Sequence, residues 1–282
     1  MGNLTGKIDF AVLFTVNGAN PNGNPLDENR PRHDYDGYGE VSAECIKRKV
    51  RNRLQDMGGR IFVQSDERSD DGCRSLADRV KATAALNAPV KAKDRDAFAA
   101  AACEEWIDVR SFGQVFAFQT AKEVSTGVRG PVSMHMARSV SPIEIENIQI
   151  TKSVNGDTKD KKSSDTMGMR YNVKHGLYVV KGSISHQLAE RTGFSDDDAG
   201  LIKEALRTLF VNDSSSARPD GSMEVIKVYW WEHGCPNGLY SSAKVHRLLQ
   251  VAPKTDNPKS IDDYDVTVGS LPGLSVQEID GE

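Results

Sequence analysis

The sequence predicts an α+β fold, one sheet backed by two amphipathic helices and opened by a large insertion. Three observations carry this. Ile8 to Val16 is apolar at nearly every position, the mark of a central strand covered on both faces. Ser42 to Met57 repeats Ile46, Val50, Leu54 and Met57 at helical spacing. Leu177 to Ile184, a helix opening at Ser195, and Met223 to Trp231 then repeat the strand, helix, strand succession. With a short strand after the first helix, this order matches the split β-α-β pattern of ferredoxin-like and RRM folds.

Taken in order, the first strand runs into Asn17 to Gly39, a stretch dense in Asn, Gly, Pro and Asp that reads as a long loop. Loops of that length in compact domains are usually functional or disordered. It leads to the helix SAECIKRKVRNRLQDM, where Ser42 suits the N-cap and Glu44 the positive end of the helix dipole. Lys47, Arg48, Lys49, Arg51 and Arg53 are opposed there only by Glu44 and Asp56. Helical geometry puts Lys47 and Arg51 on one flank and Lys49 on the other. Such a cationic surface calls for a negative partner, because the chain as a whole carries a net charge of −4.

A short strand is expected at Arg60 to Gln64, helices over Ser75 to Leu86 and Asp94 to Val109, and a strand over Phe112 to Phe118. Val132, Met134 and Met136 alternate in an extended segment, and Ile143 to Ile150 reads as another strand. From Thr151 the chain turns polar, basic at Lys159, Lys161 and Lys162, without a buried stripe, and is expected to project as an arm. Ser195 caps a helix with acidic residues in its first turn. Trp230 and Trp231 are neighbours on one strand, so one is expected inward and the other free to stack on something. Residues 255–282 are acidic and turn-rich, a tail or peripheral strand.

At 282 residues the chain can bury roughly 75% of its unfolded surface, enough for a core without metal or disulfide. Its four cysteines show no paired or metal-ligand spacing, which suits reduced thiols in a cytoplasmic protein. The N-terminal segment carries Asp9 inside a short apolar run and reads as neither leader nor membrane span. No phosphate loop, dinucleotide fingerprint, G-x-S-x-G or H-E-x-x-H occurs, and the six histidines are scattered. No catalytic residue, cofactor or metal is therefore assigned. Asp27, Glu28, His33, Asp34 and Asp36 crowd the first loop and have the chemistry of oxygen-rich cation ligands, but they are also ordinary turn residues.

The strand IDFAVLFTV, the loop NGANPNGNPLDENRPR, the helix SAECIKRKVRNRL, and then DVRSFGQVF, TGVRGPVSMHMARSVSPI, DTMGMRYNV and HGLYVVKGSIS together resemble the backbone subunit family of CRISPR Cascade complexes in its type I-C form. The resemblance covers nearly all the chain up to Trp231. It implies a modified RRM palm, a helical fingers insertion over 61–110, a thumb arm over 151–170 and a non-catalytic role. It further implies polymerisation along a guide RNA, which pairs with a target DNA strand. Partners are then further copies of the chain, a subunit capping the guide end and a large subunit. Carried over, Ser42, Lys47, Arg48 and Arg51 take the phosphate-binding role, with Arg30 and Arg32 at the end of the loop. Gly127, Arg129 and Gly130 bring backbone close to the strand. Met167 or Met169 is the unstacking wedge, with Met134 and Met136 as alternatives that core packing also explains. Two further readings are a related ribonuclease cutting with Asp27, Asp34 or Asp36, and a stand-alone single-strand RNA binder. Replacing Lys47 and Arg51 by alanine is expected to abolish guide binding and leave the fold intact.

Overall fold

A computed structural model describes residues 2–118, 123–151 and 167–282. β1 (Ile8–Ala19) extends past its predicted end at Val16. The first loop is more ordered than its composition predicts. β2 (Gly23–Asn24) and β3 (Arg30–Pro31) pair across a turn where Glu28 and Asn29 take left-handed φ values of 48° and 59°. β4 (Tyr38–Val41) then joins the main sheet, its Gly39 N–H donating to Ser139 Oγ at 2.8 Å. That partner lies far along the chain, so local composition could not reveal the strand.

α1 (Ala43–Asp56) is capped by Ser42, whose hydroxyl accepts from Cys45 N. Arg60 to Gln64 is loop rather than the expected strand, because its amides go to a side chain instead of a neighbouring backbone. The first expected helix is shorter, α2 (Leu76–Ala82), an unexpected helix α3 (Asn87–Ala92) follows, and the second expected helix is α4 (Arg95–Glu105), with a break at Trp106 that starts α5 (Ile107–Phe112). β5 (Gln114–Phe116) pairs with β6 (Thr126–Val128). β7 (Val132–Met134) and β8 (Ala137–Pro142) lie against the same long partner, and β9 (Ile145–Thr151) follows. That partner is β10 (Met167–Ile184). α6 (His186–Thr192), α7 (Asp196–Arg207, with a Ser195–Asp198 capping box) and β11 (Met223–Glu232) complete the second half. The C-terminal segment adds α8 (Ser242–His246), β12 (Leu249–Pro253), β13 (Tyr264–Val268) and β14 (Val276–Asp280). Among the described residues no helix is long and apolar enough to cross a membrane.

The main sheet runs β14-β11-β1-β10-β8-β4, with β7 and β9 also paired to β10, and every pairing is antiparallel. Both faces are covered, as the unbroken apolar run of β1 requires. Phe10, Val12 and Phe14 meet Ile46, Val50 and Leu54 of α1 and Ile202 and Leu206 of α7 in one core. Ala11 and Leu13 point the other way, into Val245, Leu249, Tyr264 and Leu274 of the C-terminal layer. Gly182 is needed where β10 crosses Phe10, since a Cβ there would lie 2.3 Å from the ring. The tryptophan expectation is corrected by this second layer. Trp230 is 0% exposed on the helix side, stacked on Phe10, and Trp231 is 1% exposed on the other side beside Tyr229. A separate core of Phe62, Val80, Phe98, Trp106, Phe116 and Val124 holds the inserted helices together.

Two histidines tie stability to pH. Burial lowers His246 below its ordinary value of 6.5, and Lys181 and His135 push the same way against Gly182 O and Asp9. His175 is also lowered by burial, with Asp263 opposing. The unfolded chain therefore binds these protons more readily than the native one. Their contribution is full above about pH 6.5 and is lost as pH falls through the depressed native values. We expect the melting temperature to fall between pH 7 and pH 5, and less so in His246→Gln. A flat melting profile across that range contradicts this.

Candidate nucleic-acid interface

The apolar stripe of α1 is buried as its spacing predicts, but the cations around it are not equivalent. Lys49, expected on an outer flank, is 3% exposed and ion-paired with Asp213, which Arg218 also approaches at 3.3 Å. Arg53 donates to Thr208 Oγ at 2.7 Å. Arg51 does not sit on an exposed flank. Its side chain is 13% exposed, and its Nε lies 3.0 Å from Oδ2 of Asp108, itself 1% exposed. The expectation that Lys47→Ala with Arg51→Ala spares the fold is corrected accordingly. Removing Arg51 leaves a buried carboxylate without its counter-charge, a change that destabilises strongly.

Lys47 and Arg48 are different. Both are half-buried, and neither forms an ion pair among the described residues. Lys47 lies 5.7 Å from the centre of the Phe112 ring, which Arg51 shares at 5.0 Å. Arg48 donates to the carbonyl of Val63 at 2.6 Å. Burial and then the Arg51 charge hold both Lys47 and Arg48 below their usual values. Three cations thus crowd one turn of helix against two carboxylates, Glu44 and Asp108, the second of them paired with Arg51. An anion arriving there relieves repulsion as well as forming new charged hydrogen bonds.

The first loop closes over the start of this helix. Ser42 N donates to Asn22 Oδ1 at 2.9 Å, and Cys45 Sγ reaches Pro21 O at 3.6 Å. Arg30 lies over the ring of Tyr171 at 4.1 Å, with Asp27 and Glu28 as weak partners at 3.9 and 3.7 Å. Tyr171 in turn donates to Glu28. Arg32 is half-buried, and its Nε has no hydrogen-bond partner among the described residues. Asp34 accepts from Asp36 N at 3.0 Å and Tyr38 N at 2.9 Å and pairs with Arg138, so it holds a turn. Among the described residues no group of three or more His, Cys, Asp or Glu side chains is arranged to hold a metal ion.

The remaining candidates separate by burial. Arg129 is exposed and Gly127 opens onto free space, so the segment before β7 is accessible. Gly130 is committed elsewhere. A Cβ there would meet Ser111 O at 2.4 Å and Gly113 N at 2.5 Å, so its missing side chain serves the packing of two backbone segments. Met134 is 8% exposed and belongs to the main core, whereas Met136 is 46% exposed after the break between β7 and β8. Lys159, Lys161 and Lys162 lie outside the described residues. The β9–β10 ribbon carries exposed apolar side chains on both faces. Opposed residues share a face, and the register sets Ile150 against Gly168 and Met169 against Gln149. Ile148 and Ile150 therefore line one face, and Met167 and Met169, 62% and 50% exposed, line the other.

Sequence reasoning missed Asp108, Asp213, Phe112 and Tyr171. A carboxylate between Ile107 and Val109 in a helical run was the only local sign of the first of these.

The family model for CRISPR-associated protein Cas7 matches residues 6–269. A relative from Haloferax volcanii, CRISPR-associated protein Cas7, is 26% identical over an alignment of 287 residues, covering 94% of this chain and 81% of the relative. A chain of a solved CRISPR RNA-guided surveillance complex, pre-nicking, superposes with a TM-score of 0.51 at 16% identity, over 80% of this chain and 78% of that one. That last likeness is one of fold: mixed α and β with a large antiparallel sheet. The family match spans almost every element described above, and the protein belongs to the CRISPR-associated Cas7 family.

Proposed function

We propose that this protein is the guide-RNA-binding backbone subunit of a type I-C Cascade surveillance complex. The observation that carries the reading is the crowding on α1 of Lys47 and Arg48, neither of them in an ion pair among the described residues, beside Arg51, with Glu44 and the buried Asp108 as the carboxylates that act on them. A subunit that must accept any guide sequence binds sugar and phosphate rather than base edges, and undercompensated cations supply that contact. The sheet with α1 and α7 is the RRM-like palm, the helices over 61–110 are the fingers, and the arm over 151–170 is the thumb. Lys47, Arg48 and Arg129 hold phosphates, with Ser42, Arg30 and Arg32 at the adjoining loop and Gly127 leaving the approach open. Lys159, Lys161 and Lys162 add charge to the thumb, and Met167 is its wedge, supported by its 62% exposure among the described residues. The guide pairs with a target DNA strand. Copies of the chain assemble along it in the cytoplasm, beside an end-capping subunit and a large subunit. The role is structural, and the engagement of Asp34 by Arg138 and two backbone amides speaks against it as a cutting residue.

Titration of uridine RNAs of increasing length tests this. We expect weak binding to short strands, cooperative binding to long ones, and a salt slope near −3 for about four phosphates per subunit at roughly 0.7 each. Length-independent one-to-one saturation supports the stand-alone binder instead. Evenly spaced magnesium-dependent cuts that vanish on Asp27→Ala or Asp36→Ala support the ribonuclease.

A further inference from the structure

Asp108 ties together parts of the molecule that the binding surface depends on. It lies in the first turn of α5, a helix shared between two cores: Ile107 packs into the main core and Val109 into the core of the inserted helices. Its carboxylate is 1% exposed and accepts three donors. Oδ1 takes Phe62 N at 2.7 Å, and Oδ2 takes Val63 N at 3.1 Å and Arg51 Nε at 3.0 Å. Val63 is also the residue whose carbonyl holds the Arg48 guanidinium. One carboxylate therefore occupies Arg51 directly.

We propose that Asp108 is the positioning residue of the α1 surface: it withholds Arg51 from the nucleic-acid backbone. The inference rests on the phosphate-binding reading of α1 given above. A purely structural Asp108 predicts changes in melting alone. A positioning Asp108 also predicts a change in how many counterions RNA binding releases, because freeing Arg51 adds a cation to the surface.

The test measures binding of a long uridine RNA by fluorescence anisotropy between about 50 and 200 mM salt. It compares wild type, Asp108→Asn and the double variant Asp108→Asn with Arg51→Gln. Asp108→Asn is expected to melt lower and to steepen the salt slope by about 0.7, so that its affinity falls roughly 2.5-fold more than wild type across that range. The double variant is expected to return to the wild-type slope, since Arg51 contributes nothing to it in the native protein. A wild-type slope in folded Asp108→Asn overturns the proposal. If Asp108→Asn does not fold, the double variant decides alone: a slope shallower than wild type by about 0.7 means Arg51 already contacts RNA, and the proposal fails. Salt-independent binding by the wild-type protein is a different outcome, and it sinks the phosphate-binding reading itself.

Discussion

Lys47→Ala with Arg48→Ala is expected to weaken RNA binding by at least a hundredfold and leave the fold in place. Each side chain offers a charged hydrogen bond to phosphate, and such bonds contribute about 1.5–3 kcal/mol apiece. Two of them give roughly 3–6 kcal/mol, at or beyond the hundredfold level. The salt slope should become shallower by about 1.4, two phosphates' share. The fold survives because neither residue forms an ion pair among the described residues, and the main structural loss is the Arg48 bond to Val63 O. A hydrogen bond from a charged donor of that kind contributes about 1.5–3 kcal/mol, short of what unfolds a domain of this size. Anisotropy titrations and thermal melts on the same samples check both halves. Unchanged affinity and slope in a folded double variant would mean that α1 is not the binding surface.

Asp9→Ala is expected to destabilise the protein by about 3–5 kcal/mol, the range for breaking a buried charged pair. Asp9 is 0% exposed at the start of β1, on the face covered by the C-terminal layer. Its Oδ2 lies 3.0 Å from Lys7 Nζ and 2.8 Å from His233 Nε2. His233 Nδ1 accepts from Leu239 N at 2.9 Å, so the ring proton is on Nε2 and is donated to Asp9. Lys7 Nζ also donates to Tyr240 O at 3.0 Å. The carboxylate thereby pins the chain over 233–240, where it turns back to build the second layer. Its loss should lower Tm on the order of 10 °C, and Asp9→Asn, which keeps an acceptor for His233, should lower it less. A Tm within about 2 °C of wild type for Asp9→Ala would show that the layer is held by its apolar contacts alone.

The division between what local sequence carried and what it did not follows the range of the forces involved. Helix caps and apolar stripes act within one or two turns, so Ser42, Ile46, Val50, Leu54 and the Ser195–Asp198 box were legible. The central strand was legible as well, because an unbroken apolar run has only one comfortable place in a sheet. β4 and the burial of Trp231 were not, since their partners Ser139 and the 245–274 layer lie far along the chain.

For the binding surface the sequence by itself determined that five cations lie on one helix with a buried underside. Only the tertiary structure decided which of them are spent. Asp108 reaches Arg51 across 57 positions and Asp213 reaches Lys49 across 164, and no local pattern encodes those meetings. Charges act through space, so folding brings distant carboxylates to some members of the row and leaves Lys47 and Arg48 without an ion pair among the described residues.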